Sequence, residues 1–186
     1  MKRVISMLSV IVMLCVGSAL PAAAAPKAVD TSGFAEEMLR LVNQERGKAG
    51  LPALGSTAAL GAAAQKRAEE ITARFSHTRP NGKNSFTVLD DYGVHSSHRG
   101  ENIAAGYNAP ADTVAGLMNS SGHKKNILGD FSHLGVGVAV KNGRLHWVQL
   151  FIREDASKKP APAWKSWPAP VQFFARVVLF GWIWMK

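Results

Sequence analysis

The stretch "LGVGVAVKNGRLHWVQLFI", Leu134 to Ile152, decides the fold. Residues alternate in character on both sides of Asn142-Gly143, and that dipeptide between alternating runs is the strongest short hairpin signal. A two-residue turn pairs Lys141 with Arg144, which sets Ala139 opposite His146 and Gly137 opposite Val148. Val136, Val138, Val140, Leu145 and Trp147 then share one face of the hairpin, and Gly135, Gly137, Ala139 and His146 share the other. The first is a core face. The second leaves room for a helix backbone or a ligand to approach closely, and tight packing of a helix is the favoured reading.

Upstream, the periodicity changes from two to 3.6. "TSGFAEEMLRLVNQERGKAGL" places Phe34, Met38, Leu41 and Val42 on one helical face, with Thr31 or Ser32 to cap the start and Gly50 to stop it. "STAALGAAAQKRAEEITARF" forms a second helix with Leu60, Ala64, Ala68, Ile71 and Phe75 on one stripe, and its alanines imply close packing. Ser76 to about Gly100 reads as a loop, and a short helix starts near Asp112 with Val114, Leu117 and Met118 inward. In "LMNSSGHKKNIL", Leu117 to Leu128, His123 falls at the start of a further helix, where the local field favours an anion over an imidazolium.

The ends differ from this middle. Residues 1–24 have the order of a secretory signal: Lys2 and Arg3, an apolar run to Leu20, then small residues for cleavage after Ala24. Its removal takes Cys15, the single cysteine, so the exported domain holds by packing without a disulfide. Residues 25–32 form a short N-terminal segment, and 33–155 the domain. Residues 156–170, "ASKKPAPAWKSWPAP", are a Pro- and Lys-rich linker. Residues 171–186, "VQFFARVVLFGWIWMK", are an apolar, Trp-rich tail, interrupted by Arg176 and short of the roughly 20 residues that span a bilayer. It suits a membrane surface or a segment folded back onto the domain. The formal charge of +9 is concentrated here, with Lys158, Lys159, Lys165, Arg176 and Lys186 unopposed. On an exported protein this favours anionic lipid or wall polymer over nucleic acid.

Six histidines are present, yet there is no His-Glu-x-x-His pair, no paired cysteines, no Gly-x-Ser-x-Gly elbow and no phosphate or dinucleotide loop. Five motifs in fixed order carry more: "FSHTRPNGK" (Phe75 to Lys83), "GENIAAGY" (Gly100 to Tyr107), "SSGHKKNIL" (Ser120 to Leu128), "HLGVGVAV" (His133 to Val140) and "HWVQLFI" (His146 to Ile152). With the leading "LVNQERGKAGL" they resemble the bacterial branch of the CAP superfamily, named for cysteine-rich secretory proteins, antigen 5 and pathogenesis-related proteins. The resemblance covers about Gly33 to Arg153.

It implies an α+β fold, a three-layer α-β-α sandwich with a central antiparallel sheet. It also implies a cleft where two histidines and two acids converge. Carried over, these are His77, Glu101 and His123, with Ser120 where the family's Trp-x-x-Glu pattern has its glutamate and Leu117 where it has tryptophan. His77, Glu101 and His123 would be the ligand set of an open site for a divalent cation such as zinc. Without the second acid no general base for a bound water is evident. Ser120 before a helix reads first as a cap, and only second as a nucleophile paired with His123. Arg79 and Asn102 are expected to brace loops around the cleft, His95 and His98 to be solvated in a loop and Trp147 to be core; His133, just before the first strand, is placed where it could border the cleft but is not assigned to it.

The favoured function is a non-enzymatic binding module of the cell envelope or exterior, expected as a monomer. Its ligand would be a lipid, wall polymer or protein, with the tail on a membrane surface. The alternative is a metal-dependent hydrolase of peptide or cell-wall bonds using the same cleft. A scaffold with structural histidines is the third reading.

Overall fold

A computed structural model of the chain describes residues 29–154; the expected leader, linker and tail lie outside them. Along this span run α1 (Phe34–Lys48), α2 (Ala58–Ala73), α3 (Thr87–Asp91), β1 (His98–Ala105), α4 (Pro110–Met118), α5 (Ser121–Ile127), β2 (His133–Lys141) and β3 (Arg144–Arg153). The strands form one antiparallel sheet in the order β1-β3-β2. The hairpin register is the one the turn demands, with Lys141 on Arg144, Ala139 on His146 and Gly137 on Val148. Asn142 and Gly143 take φ of 51° and 73°, the pair of positive values that a tight hairpin of this twist requires.

Each face of the sheet is covered by helices. Val136, Val138, Leu145, Trp147 and Phe151 pack with Met38 and Val42 of α1, Val114 and Leu117 of α4 and Ile127 of α5. On the other face Ile103, Val148 and Leu150 pack with Leu60, Ala64, Ala68 and Ile71 of α2 and Val88 and Leu89 of α3. The result is the α-β-α sandwich. The glycine face of the hairpin is used by a helix backbone: a Cβ on Gly137 would lie 2.1 Å from the Ala64 carbonyl oxygen, and one on Gly135 2.4 Å from that of Leu60. Small residues on both elements therefore let strand and helix approach at van der Waals distance.

Several local expectations are corrected. Neither Thr31 nor Ser32 caps α1. Gly33 holds that place with φ 74°, and no side chain bonds the free amides. At the far end the Leu51 amide donates to the Arg46 carbonyl (2.9 Å) and that of Gly50 to Gly47 (3.0 Å), around Gly50 at φ 71°, so the glycine stop is a Schellman turn. Phe75 is not on the α2 stripe. The helix ends at Ala73 and Phe75 is 55% exposed. The stretch read as loop holds α3 and the start of β1, too short and too interrupted by polar residues to show a period. His98 is accordingly a strand residue whose ring packs on Phe131 at 4.9 Å.

Gly137→Val should therefore force α2 off the hairpin, lowering unfolding free energy in urea by at least about 2 kcal/mol. Gly47→Ala, in α1 with open space around its Cβ, should raise it by about 0.5–1 kcal/mol. Equal small effects at the two sites would contradict the close contact.

Candidate functional site at the β1 edge

β1 is an edge strand with a helix layer on either side, and three successive residues divide the two sides between them. Glu101 pairs with Leu150 and faces α2, whereas Gly100 and Asn102 pair with Phe151 and Gln149 and face α5. Gly100 must be small, because a Cβ there would meet the Phe131 ring at 2.9 Å and Asn126 Oδ1 at 3.1 Å. The "GEN" triplet thus has a separate task at each position.

On the α2 side, Glu101 meets Arg67, whose side chain is fully buried. Arg67 Nη2 donates to Glu101 Oε1 at 3.1 Å and Nε to Oε2 at 3.3 Å. The same guanidinium donates to Glu70 (2.9 Å) and to the Ser76 carbonyl (2.9 Å). Arg79 continues the chain, donating to Glu70 (2.7 Å), Asp91 (2.8 Å) and Thr87 (3.1 Å). Burial opposes the charge of Glu70, but the hydrogen bonds from Arg79 and Arg67 outweigh it and hold the carboxyl below its ordinary range. The guanidinium of Arg79 is held charged, first by Glu70. Arg79 does brace the loop that carries His77, as its motif suggested.

His77 stands at the outer end of this chain. Its Nδ1 lies 2.9 Å from Glu101 Oε1, while the side chain is 60% exposed. A carboxylate facing a guanidinium can only accept, so Nδ1–H donates and Nε2 is the ring nitrogen without a proton in the neutral ring.

On the α5 side, Asn102 Nδ2 donates to the His123 carbonyl (3.1 Å) and to Gln149 Oε1 (3.0 Å), and Asn126 Nδ2 donates to the Glu101 carbonyl (3.1 Å) and Asn102 Oδ1 (2.8 Å). These bonds dock α5 on the strand and fix the backbone of His123. Its imidazole is held below the ordinary pKa by burial, and further by the nearby charge of His77. His77, on the loop after α2, and His123, on α5, thus approach β1 from opposite sides, near enough for the charge of one to bear on the other. Ser120 precedes α5 and gives its carbonyl to the Lys124 amide (2.8 Å), but its hydroxyl makes no capping bond. Leu117 belongs to the core.

The other histidines lie elsewhere. His133 opens β2 with its ring against Gly55. His95 is exposed beside Asp90. His146 is buried on the α2 face, its pKa lowered chiefly by that burial. Trp147 is core, stacked on Phe34 at 5.6 Å with its indole N–H on the Tyr107 carbonyl.

The side chains fit a bound cation poorly. Both oxygens of Glu101 are taken by a buried guanidinium that would repel an ion, and among the described residues no three His, Cys, Asp or Glu group around one point. Glu101 is placed to orient His77 rather than to ligate. The residue missing from the sequence reading is Arg67. Its signal was an arginine on the alanine stripe of α2, three residues after Ala64 and one before Ala68.

Arg67→Ala should cost about 3–5 kcal/mol in urea unfolding, because it strands a buried carboxylate, and Arg67→Ala/Glu101→Leu should cost less than the single change. A double variant no more stable than the single one would contradict the coupling. Because His123 and His146 titrate below about 6.5 when folded, the unfolded chain binds more protons beneath that pH. Stability should thus be full above pH 6.5 and fall as pH drops through the lowered values, with a shallower slope in His123→Gln; an unchanged slope would contradict the assignment.

Comparison with known proteins agrees with this frame. Residues 39–151 match the model of the cysteine-rich secretory protein family, CAP. The Bacillus subtilis protein YkwD is 36% identical over 131 residues, spanning 69% of this chain and 49% of its own length, so the chain covers about half of that relative. An extracellular protein with an SCP domain from Bacillus anthracis superposes with a TM-score of 0.61 at 31% identity, covering 66% of this chain and 41% of that one. An outer surface protein of Borrelia burgdorferi shares the fold, with a TM-score of 0.62 at 20% identity over 68% of this chain and 97% of its own. The chain belongs to the cysteine-rich secretory protein (CAP) family, in its bacterial form.

Proposed function

We propose that the protein is an exported binding module of the cell envelope, whose β1-edge cleft holds a hydroxyl- or amide-bearing polymer of the wall by hydrogen bonds to His77 and His123. The observation that carries this is the closed Arg67–Glu101–His77 chain, which engages both oxygens of Glu101 and so withholds that carboxylate from service as a general base. The imidazoles, by contrast, suit recognition. His77 presents Nε2 on an exposed ring, and His123 stays neutral at physiological pH. A neutral imidazole both donates and accepts, which matches hydroxyl and amide groups. Ser120 adds a hydroxyl beside α5, and Phe75 an exposed ring two residues before His77. Export rests on the leader-like residues 1–24 and on the surface location named for the relatives.

The test is cosedimentation of the full secreted chain with purified insoluble wall polymer, alone and with added zinc, against His77→Ala/His123→Ala. Binding should weaken at least tenfold in the double variant, should not need zinc, and should release no soluble fragments. Fragment release that requires zinc and Glu101 would overturn the proposal in favour of a metal-dependent hydrolase.

A further inference from the structure

The sequence contains Asn-Gly twice, at Asn81-Gly82 and at Asn142-Gly143, and both pairs are exposed. An asparagine before a glycine can close on itself: the nitrogen of the next peptide attacks the side-chain carbonyl carbon, and glycine, lacking a Cβ, does not obstruct the approach. By sequence the two pairs are alike. Their surroundings are not.

At Asn81 both reacting groups are engaged. Its Oδ1 accepts from the Lys83 amide at 3.0 Å, and the Gly82 amide donates to the Arg79 carbonyl at 2.9 Å. Arg79 is buried and paired with Glu70 and Asp91, which holds that loop in place. At Asn142, by contrast, no described residue bonds the carboxamide or the Gly143 amide.

The hairpin turn also has the required shape. Attack needs the Gly143 nitrogen to eclipse the Asn142 Cα–Cβ bond, which happens at the first position of a type II′ turn, with φ of about +60° and ψ of about −120°. Asn142 already holds φ 51°, and among the described residues it is the one non-glycine with a positive value. Only the peptide plane between the two residues has to rotate, and Gly143 tolerates either setting. Types I′ and II′ both close a two-residue hairpin, so the strands stay paired during the rotation. Lys141 and Arg144 flank the turn, and their charged ends reach carbonyl oxygens, of Thr72 and Ala105, rather than carboxylates. That positive field favours loss of the Gly143 amide proton, which makes its nitrogen the nucleophile.

We propose that Asn142 is a site of spontaneous covalent modification, deamidating through a succinimide formed with the Gly143 nitrogen. That nitrogen gives its proton to hydroxide and bonds to Asn142 Cγ, and the carboxamide C–N bond breaks with departure of ammonia. Water then opens the five-membered ring. Addition at Cγ gives aspartate; addition at the main-chain carbonyl carbon gives isoaspartate, with the chain running through the former side chain. Water is the one co-reactant. Either product sets a carboxylate between Lys141 and Arg144, and isoaspartate adds a methylene to a turn whose length fixes the pairing. The hairpin tip thus records the age of the domain, independently of the reading of the His77 cleft.

The experiment holds the full secreted chain folded at mildly alkaline pH and follows its proteolytic peptides by mass spectrometry, with electron-transfer fragmentation to tell isoaspartate from aspartate. Asn142 should convert at least about tenfold faster than Asn81, giving both products. In guanidinium chloride, where both loops lose their folded geometry, the two rates should converge. In the isoaspartyl fraction the Lys141 and Arg144 amides should exchange with deuterium about tenfold faster than in the parent chain. Equal rates in the folded chain would overturn the proposal, as would a contrast that persists in guanidinium chloride. Aspartate without isoaspartate would overturn the succinimide route in favour of direct hydrolysis.

Discussion

The buried pair between Arg67 and Glu101 is the constraint on which the placement of His77 depends. Two charges removed from water gain little net stability over an apolar pair of the same size. What they gain here is position. Every nitrogen of the Arg67 guanidinium has a partner, one of them a loop carbonyl, so the helix, the strand and the loop after the helix are fixed against one another. Glu70 and Arg79 extend the same alternation of sign to α3. His77 hangs from the end of that chain, and its ring orientation follows from Arg67, buried in α2 behind the same carboxylate.

The sheet supplies the frame for this. β3, in the centre, is buried along nearly its whole length, and the hairpin brings glycines against the backbone of α2. That close approach sets α2 at a depth from which Arg67 reaches Glu101 on the opposite edge strand. On the other face, Asn102 and Asn126 dock α5 through its backbone and bring His123 to the same edge. The layers on the two faces of the sheet are coordinated here by successive residues of one strand.

Much of this was legible in the sequence, for identifiable reasons. The hairpin register followed from Asn142-Gly143 because a two-residue turn leaves one pairing, and the glycine face announced its helix because Gly135 and Gly137 cannot fill space. α1, α2 and α4 showed their periods. β1 did not, since a strand reading Gly-Glu-Asn-Ile-Ala-Ala, with both faces covered near an edge, lacks the alternation of a half-exposed strand. The cleft residues His77, Glu101 and His123 came from ordered motifs rather than from spacing. What no motif carried was the partner of Glu101: an arginine in a helix reads as surface by default, and only its place on the alanine stripe says otherwise.

The central claim is that Glu101 orients His77 rather than serving as ligand or base, and the ring tautomer tests it most directly. Long-range proton–nitrogen NMR on the full chain, at a pH where the ring is neutral, reports which nitrogen of His77 carries the proton. The account predicts a protonated Nδ1 and a bare Nε2, a preference absent in Arg67→Ala/Glu101→Leu. A ring protonated at Nε2, or mixed equally between the two, would contradict it and return Glu101 to the set of groups free to act on a ligand.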